Sequence, residues 1–116
     1  MVRISIELRT ASPRDAIDLL ETLRFLTSST RLDRGCHECA AWTDREFVVH
    51  YSEGWAGEAD VRRRVRSPGF SSLLALMECG SAPPQVKFDF VTKTRGLDYL
   101  EEIRSGMSDL ASDRIQ

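Results

Sequence analysis

Residues 53–70, EGWAGEADVRRRVRSPGF, combine side chains that could build one wall of a ligand pocket. Glu53 and Trp55 are two positions apart, so they share one face if this segment ends a strand. Four arginines follow within five positions. Ser67 and the proline after it offer a helix N-cap and first turn, and Phe70 begins a new apolar stripe. A strand, an aromatic residue at its exit and a broken helix pair are together typical of a pocket wall.

Four apolar residues are candidates for contact with an aromatic ligand: Trp42, Trp55, Phe70 and Met77. An indole ring can stack on such a ligand, but it can equally lie in the core with its N–H group bonded to the backbone. We favour a core position for Trp42 and leave Trp55 open between core and pocket.

His50 is the candidate general base, because an imidazole titrates near neutral pH and a strand would carry it on a sheet face. The alternative is a structural or solvent-exposed histidine. Tyr51 and Glu53 lie on the opposite face of the same strand. They could share a site with His50 only if the strand bends.

Helical geometry reduces the number of arginines that can act at a site. At about 100° per residue, Arg62 and Arg64 flank an inner stripe of Val61 and Val65. Glu58 with Arg62, and Asp60 with Arg64, are acid-before-base pairs four residues apart, which favours a solvated, self-neutralised face. The alternative is that Arg64 leans over the pocket mouth and binds a carboxylate or phenolate. Replacing Arg64 by alanine is then expected to weaken ligand binding with little change in melting temperature.

The CxxC spacing of Cys36 and Cys39 suggests a metal or redox site. On a strand, however, an offset of three places the two thiols on opposite faces. No second CxxC or histidine pair completes a zinc site, so we predict no metal. With Cys79 the cysteines are odd in number, which favours free thiols in a reducing compartment.

Length and composition exclude several functional classes. The 116 residues suit one domain, and the net charge of -2 gives no electrostatic footprint for nucleic acid. The longest apolar run, residues 73–77, is too short to cross a bilayer, and the N-terminal segment lacks the apolar stretch of a signal peptide. We therefore expect a cytoplasmic protein that binds neither nucleic acid nor membranes.

Periodicity along the chain predicts four strands. The alternation of Val2 through Leu8 predicts the first strand. The second is expected at residues 36–43, the third at 46–53 with Phe47 facing the same side as Tyr51, and the fourth around residues 86–90.

Helices are predicted at residues 13–30, 57–66, 68–79 and 96–104. In the first, Phe25 projects away from the apolar stripe that ends at Leu26. The third should bury Phe70, Leu74 and Met77 among others. The tail, residues 105–116, is small and polar, and we expect it to be frayed. The chain is thus one domain with a core at residues 2–91.

This element order is the ferredoxin-like β-α-β-β-α-β plan of the α+β class, with a broken second helix and an added terminal one. Its antiparallel sheet carries helices on one face only. The other face needs a cover if it holds apolar residues, and a second copy of the chain is the simplest cover.

Three short motifs carry a family resemblance: Gly35-Cys36 opening the second strand, residues 53–55 (EGW) ending the third, and residues 67–70 (SPGF) followed by two leucines. In this order and spacing, the chain resembles the antibiotic biosynthesis monooxygenase family, which includes quinol monooxygenases. The resemblance implies a dimeric α+β barrel in which two subunits pack sheet against sheet. It also implies a pocket between sheet and helices.

The resemblance further implies chemistry without a cofactor, in which a deprotonated quinol-like or polyketide-like aromatic reduces O2 itself. Members commonly carry histidine where this chain has Arg64 and Gly69, and often tyrosine where it has Cys39 and Trp42. Two hypotheses follow. One is a cofactor-independent monooxygenase acting on a small aromatic, and the other is a non-catalytic protein that binds a small ligand or acts through its homodimer.

Overall fold

The computed structural model describes residues 1–92 and 95–106. The strands are β1 (Val2–Leu8), β2 (Cys36–Thr43), β3 (Val49–Trp55) and β4 (Gln85–Phe90). The helices are α1 (Pro13–Thr30), α2 (Glu58–Val65), α3 (Pro68–Met77) and α4 (Leu97–Arg104). The predicted β-α-β-β-α-β order with a divided second helix and a further terminal helix is confirmed.

The four strands form one antiparallel sheet in the order β2-β3-β1-β4. The alternation of β1 places Val2, Ile4, Ile6 and Leu8 on the face that the helices cover, where each is 3% exposed or less. The register puts Tyr51, Glu53 and Trp55 of β3 on that same helix-covered face. The opposite side of the sheet, which we call the open face, carries the side chains of the residues that alternate with these along each strand.

Helix α1 begins as its sequence predicts. The Ser12 hydroxyl accepts a hydrogen bond from the Asp15 amide at 3.1 Å, and proline occupies the first turn. The stripe from Ala16 to Leu23 is buried, whereas Leu26 is only half-buried. Phe25 points outward with 80% of its surface exposed, as predicted. Helix α1 packs against β2 and β3 and contributes its buried residues to the core.

A serine joins the two short helices that follow β3. Ser67 donates a hydrogen bond to the Arg64 carbonyl at 2.6 Å and accepts one from the Phe70 amide at 3.2 Å. It therefore closes α2 and caps α3 with a single hydroxyl. Phe70, Leu73 and Met77 are buried under α3, while Leu74, predicted to be buried, is 40% exposed.

The third strand starts later than predicted. The Asp44 carboxylate accepts hydrogen bonds from the Glu46 and Val48 amides at 2.8 and 3.1 Å. This side-chain turn keeps the segment out of the strand. Phe47 consequently has a left-handed backbone (φ 59°) and is 39% exposed instead of facing the same side as Tyr51.

Helix α4 follows β4 and contains no buried residue. The predicted frayed tail falls mostly on residues 107–116, which lie outside the described residues. Among the residues that the structure does describe, no helix is both long and apolar enough to cross a membrane.

Candidate functional site

A fully buried carboxylate lies at the centre of the helix-covered face. Glu53 is 0% exposed, and its neighbours on β3 bind it from both sides. The Tyr51 hydroxyl donates to Oε2 at 2.5 Å, and the Trp55 indole Nε1 donates to Oε1 at 2.8 Å. Because side chains two apart on a strand share a face, three successive inward residues of β3 form this group.

Arg64 completes the group from α2. Its Nε lies 3.1 Å from both oxygens of Glu53, and its Nη2 lies 2.7 Å from Oε2. The Arg64 side chain is 8% exposed, so this is a buried ion pair with fork geometry.

The contacts of Arg64 correct the helical assignment made from sequence. Asp60 pairs with Arg63 at 2.7 Å, whereas Arg64 pairs with Glu53. Val65, predicted to face inward, is 39% exposed, and Arg64 occupies the inner position beside Val61. The predicted pair of Glu58 with Arg62 is present at 2.8 Å.

The buried charges shift the acid–base properties of their neighbours. Burial, and then the negative charge of Glu53, raises the pKa of the Tyr51 phenol. The Cys39 thiol lies 3.2 Å from the Tyr51 hydroxyl, and burial raises its pKa to about 11. Burial alone would lower the pKa of Arg64, but hydrogen bonding and the charge of Glu53 outweigh it, so that pKa is raised. Arg64 therefore stays positively charged at neutral pH, and the Tyr51 phenol and the Cys39 thiol both stay protonated.

Two neighbouring cavities lie beside Arg64, near the C-terminal end of α1 and the junction of α2 with α3, and together we call them the Arg64 cleft. The one lined by the buried Tyr51, which we call the inner compartment, has a volume of about 170 Å³, and the other, the outer compartment, about 270 Å³. Both are lined by Asp33 and Arg64. The inner compartment is completed by Leu26, Ser29, Thr30, Tyr51, Gly69 and Leu73. The outer one is completed by Arg34, Trp55, Asp60, Arg63 and Ser67.

One edge of the Arg64 guanidinium remains available to the cleft. Within residues 1–92 and 95–106, no acceptor binds its Nη1. A Cβ atom at Gly69 would lie 3.0 Å from this Nη1, so the absence of a side chain there leaves the edge uncovered. Glu53, in contrast, accepts hydrogen bonds from three different side chains and is not placed to take a proton from a ligand. The cleft therefore offers one uncovered donor edge to a ligand oxygen, beside the Asp33 side chain that lines both compartments.

The structure places His50 on the open face, across the sheet from this cleft. Its ring stacks on Trp42 with centroids 5.4 Å apart, and its Nε2 lies 3.0 Å from Oδ2 of Asp44. This hydrogen bond is the main cause that lowers the pKa of Asp44. Glu7 Oε1 lies 3.8 Å from the other ring nitrogen. His50 thus faces two carboxylates and does not meet the cleft.

The four predicted ligand contacts fall in different places. Trp42, predicted to be in the core, is 44% exposed and lines a depression of about 480 Å³ on the open face. Trp55 is 2% exposed and lines the outer compartment. Phe70 lies beneath Arg64, whose guanidinium carbon is 5.4 Å from the ring centre. Met77 is buried in the core and lines neither compartment.

The cysteine pair does not alternate as a regular strand requires. A β-bulge between Cys36 and Glu38 inserts one residue, so Cys36 is opposite Trp55 while Cys39 is opposite Glu53. Both cysteines therefore lie on the helix-covered face, and the prediction of opposite faces is wrong. In the part of the chain that the structure describes, no three metal-ligating side chains come together.

Sequence reasoning missed the role of Glu53 as the centre of this group. The available signal was its position between Tyr51 and Trp55 on the inward face of a predicted strand. A carboxylate buried there is stabilised by pairing with a cation. The arginine run that begins nine residues later supplies one.

Solved structures with the same fold are similar over most of this chain. A candidate antibiotic biosynthesis monooxygenase from Deinococcus radiodurans has a TM-score of 0.73 and 16% identity, covering 84% of this chain and 98% of its own. The chain has the same fold as this protein. Rv0793 from Mycobacterium tuberculosis has a TM-score of 0.70 and 15% identity, covering 82% of this chain and 98% of its own.

A further structure, of an antibiotic biosynthesis monooxygenase, has a TM-score of 0.66 and 17% identity, and covers 80% of this chain and 100% of its own. At these identities the likeness establishes the α+β, ferredoxin-like fold. Comparison of the sequence with models of protein families gives no match, and neither does comparison with curated proteins.

Proposed function

We propose that this chain binds a small phenolic or hydroquinone anion in the Arg64 cleft and promotes its oxidation by O2 without a cofactor. The observation that carries the proposal is the uncovered edge of a buried arginine. Its Nη1 faces the inner compartment, where Gly69 leaves room for a ligand oxygen. The likeness to antibiotic biosynthesis monooxygenases supports the same assignment through the fold.

The volume of the inner compartment limits the ligand. At about 170 Å³ it is close to the roughly 150 Å³ apolar cavity that holds one benzene ring. Leu26 and Leu73 supply apolar walls, while Ser29 and Thr30 supply hydroxyl groups. A single-ring hydroquinone therefore fits the inner compartment. A three-ring anthrone would have to occupy the outer compartment as well.

Arg64 would favour the ionised form of the substrate. A nearby positive charge lowers the pKa of an acid by about 1–3 units, and because Glu53 already neutralises much of this arginine we expect the lower end. A phenol bound here would then be ionised roughly tenfold more often at neutral pH. The phenolate can transfer electrons to O2. One oxygen atom enters the ring and the other leaves as water, and the hydroquinone supplies all four electrons.

The test is oxygen uptake with one-ring hydroquinones and with anthrones. We expect uptake with at least one hydroquinone, its loss in Gly69→Leu, which fills the inner compartment, and unchanged uptake in Ser72→Ala on the exposed side of α3. His50→Ala should leave uptake unchanged if chemistry occurs in the cleft. Oxygen uptake that depends on His50 and not on Gly69 would indicate that the reaction occurs on the open face instead of in the cleft.

A non-catalytic ligand-binding protein is the second candidate, and the saturation of Glu53 favours it. Neither Glu53, which accepts hydrogen bonds from three side chains, nor His50, which lies on the other face, is placed to act as a base in the cleft. This alternative predicts that hydroquinones quench Trp55 fluorescence without oxygen uptake, and that Gly69→Leu removes the quenching. Absence of both binding and uptake would contradict both candidates.

A further inference from the structure

We propose that Asp33 is the catalytic base of the Arg64 cleft, and that it accepts the hydroxyl proton of a phenol whose oxygen is bound by Arg64. The proposal rests on the proposed function and supplies the proton acceptor that this function requires, since neither Glu53 nor His50 is placed to act in the cleft. It depends on where Asp33 lies, on its free carboxylate, and on the occupied state of the polar groups around it.

Asp33 lies in the turn between α1 and β2, and it shares with Arg64 the property of lining both compartments. Its position is fixed by the backbone. The Asp33 amide donates to the Thr30 carbonyl at 3.1 Å, and the Asp33 carbonyl accepts from the Cys36 amide at 3.1 Å. The turn therefore holds Asp33 at the cleft without using its side chain.

The Asp33 carboxylate is free to bind a ligand. Within residues 1–92 and 95–106, no side chain or amide forms a hydrogen bond or ion pair with it, Arg64 included. Asp60, the other carboxylate of the outer compartment, is bound by Arg63 at 2.7 Å and by the Gly57 amide at 3.2 Å. A carboxylate only accepts hydrogen bonds and a guanidinium only donates them. A hydroxyl group, which does both, is the ligand group that matches Asp33 and Arg64 together.

The other polar side chains of the inner compartment are not suited to take this proton. Tyr51 already donates its own proton to a carboxylate, and its raised pKa keeps it protonated. Ser29 and Thr30 donate their hydroxyls to a backbone carbonyl of α1 at 3.1 and 3.0 Å. Arg64 has no acceptor atom. In the part of the chain that the structure describes, Asp33 is therefore the one residue lining this compartment that can serve as a base.

The proposed step transfers one proton. The O–H bond of the phenol breaks, its electron pair stays on the oxygen beside Arg64, and the proton joins a carboxylate oxygen of Asp33. The positive charge of Arg64 and the loss of electron density to O2 both make this hydroxyl more acidic. Because Asp33 is exposed, it can then release the proton to water. A hydroquinone loses two hydrogens in the whole reaction and the water formed contains two, so Asp33 is regenerated without net proton release.

Oxygen uptake by Asp33→Asn tests the base. Asparagine keeps the size of the side chain but does not accept a proton, so kcat should fall about 100-fold or more while the melting temperature stays unchanged. The control is Asp18→Asn, which removes the same charge from an exposed position of α1 where it pairs with Arg14 at 3.4 Å, and which should keep native uptake. Native uptake in Asp33→Asn would overturn the proposal and leave the proposed function in place.

The acidity of the substrate separates a base from a structural residue. Hydroquinones with electron-withdrawing substituents are partly ionised before they bind, so they depend less on a base. The ratio of native uptake to Asp33→Asn uptake should therefore fall from about 100 toward 1 along a series of increasingly acidic hydroquinones. A ratio that stays constant along the series would give Asp33 a structural role and overturn the proposal.

Calorimetric binding distinguishes a failure of this proposal from a failure of the proposed function. Absence of oxygen uptake by the native chain would overturn the proposed oxidation, and the contact between Asp33 and the hydroxyl is then judged by binding alone. The native cleft should bind hydroquinone roughly tenfold more tightly than hydroquinone dimethyl ether, and Asp33→Ala should lose this preference. The same preference in native chain and variant would contradict the contact. No binding of either compound would contradict both proposals.

Discussion

The guanidinium of Arg64 binds the carboxylate of Glu53 through three hydrogen bonds of 2.7 to 3.1 Å, with both side chains withdrawn from solvent. The pair joins the end of the third strand to the helix that follows it. It is also the boundary of the cleft, so its integrity affects stability and ligand binding together.

Removing Arg64 should therefore destabilise the fold strongly. Arg64→Ala leaves Glu53 buried without its cation, which costs about 3–5 kcal/mol of unfolding free energy, or roughly 10–20 °C in melting temperature. This expectation reverses the one drawn from sequence, which assumed an exposed arginine. Urea denaturation measures the change. Arg62→Ala is the control, since its exposed pair with Glu58 contributes no more than about 0.5 kcal/mol. Equal losses in the two variants would contradict the buried pair.

Stability should fall in alkali because of Tyr51. Its pKa is raised in the folded chain, so the folded state holds a proton that the unfolded state releases above about pH 10. Stability is complete below that pH and decreases as the pH rises further. Ultraviolet absorbance should show Tyr51 ionising only together with loss of circular dichroism. In Tyr51→Phe this step should vanish. Ionisation of Tyr51 in the native fold would argue against the buried network.

The three cysteines should differ in their reaction with dithiobis-nitrobenzoate. Cys79 is exposed, Cys36 is half-buried with a pKa raised by burial, and Cys39 is buried with a pKa of about 11. Since the thiolate is the reactive form, one thiol should react quickly, a second slowly and the third only in denaturant. Cys79→Ser should remove the fast phase. A fast phase that persists in this variant would mean that the bulged strand opens readily.

Two glycines offer a matched test of the loop that precedes the second strand. Gly35 has a φ of 88°, and a Cβ there would lie 2.6 Å from the Asp60 carboxyl group. Gly35→Ala should cost about 2–3 kcal/mol, through the left-handed backbone and the displaced side chain. Gly57→Ala meets Asp60 only at 4.0 Å and should cost no more than about 1 kcal/mol. Thermal unfolding of both variants measures the difference, which should disappear if the loop can rearrange.

Much of the fold could be predicted from local signals. The alternation of β1 and the serine caps of α1 and α3 depend on residues close in sequence, and these predictions are confirmed. A turn at Asp44 was expected, but its extension to Val48 was missed, as was the bulge at Cys36. A periodic pattern of apolar residues does not reveal such irregularities.

The site was less predictable because its parts come from different elements. Helical geometry assigned the inner position to Val65, since valine is the more apolar residue. The residue that determines which side chain faces inward is Glu53, which lies eleven residues before Arg64 on β3 and pairs with it. Leaving the buried Glu53 carboxylate without a cation would cost more free energy than the roughly 1.5–3 kcal/mol lost by exposing one valine side chain. Arg64 therefore takes the inner position and Val65 faces solvent.

The alternation of Tyr51, Glu53 and Trp55 also fixes the alignment of the sheet. A shift of β3 by one residue would turn all three side chains to the opposite side and leave Arg64 buried without an acceptor. Misaligned pairings of this hairpin would therefore be much less stable than the correct one. The ion pair thus makes one strand register the most stable, whether or not a ligand is bound.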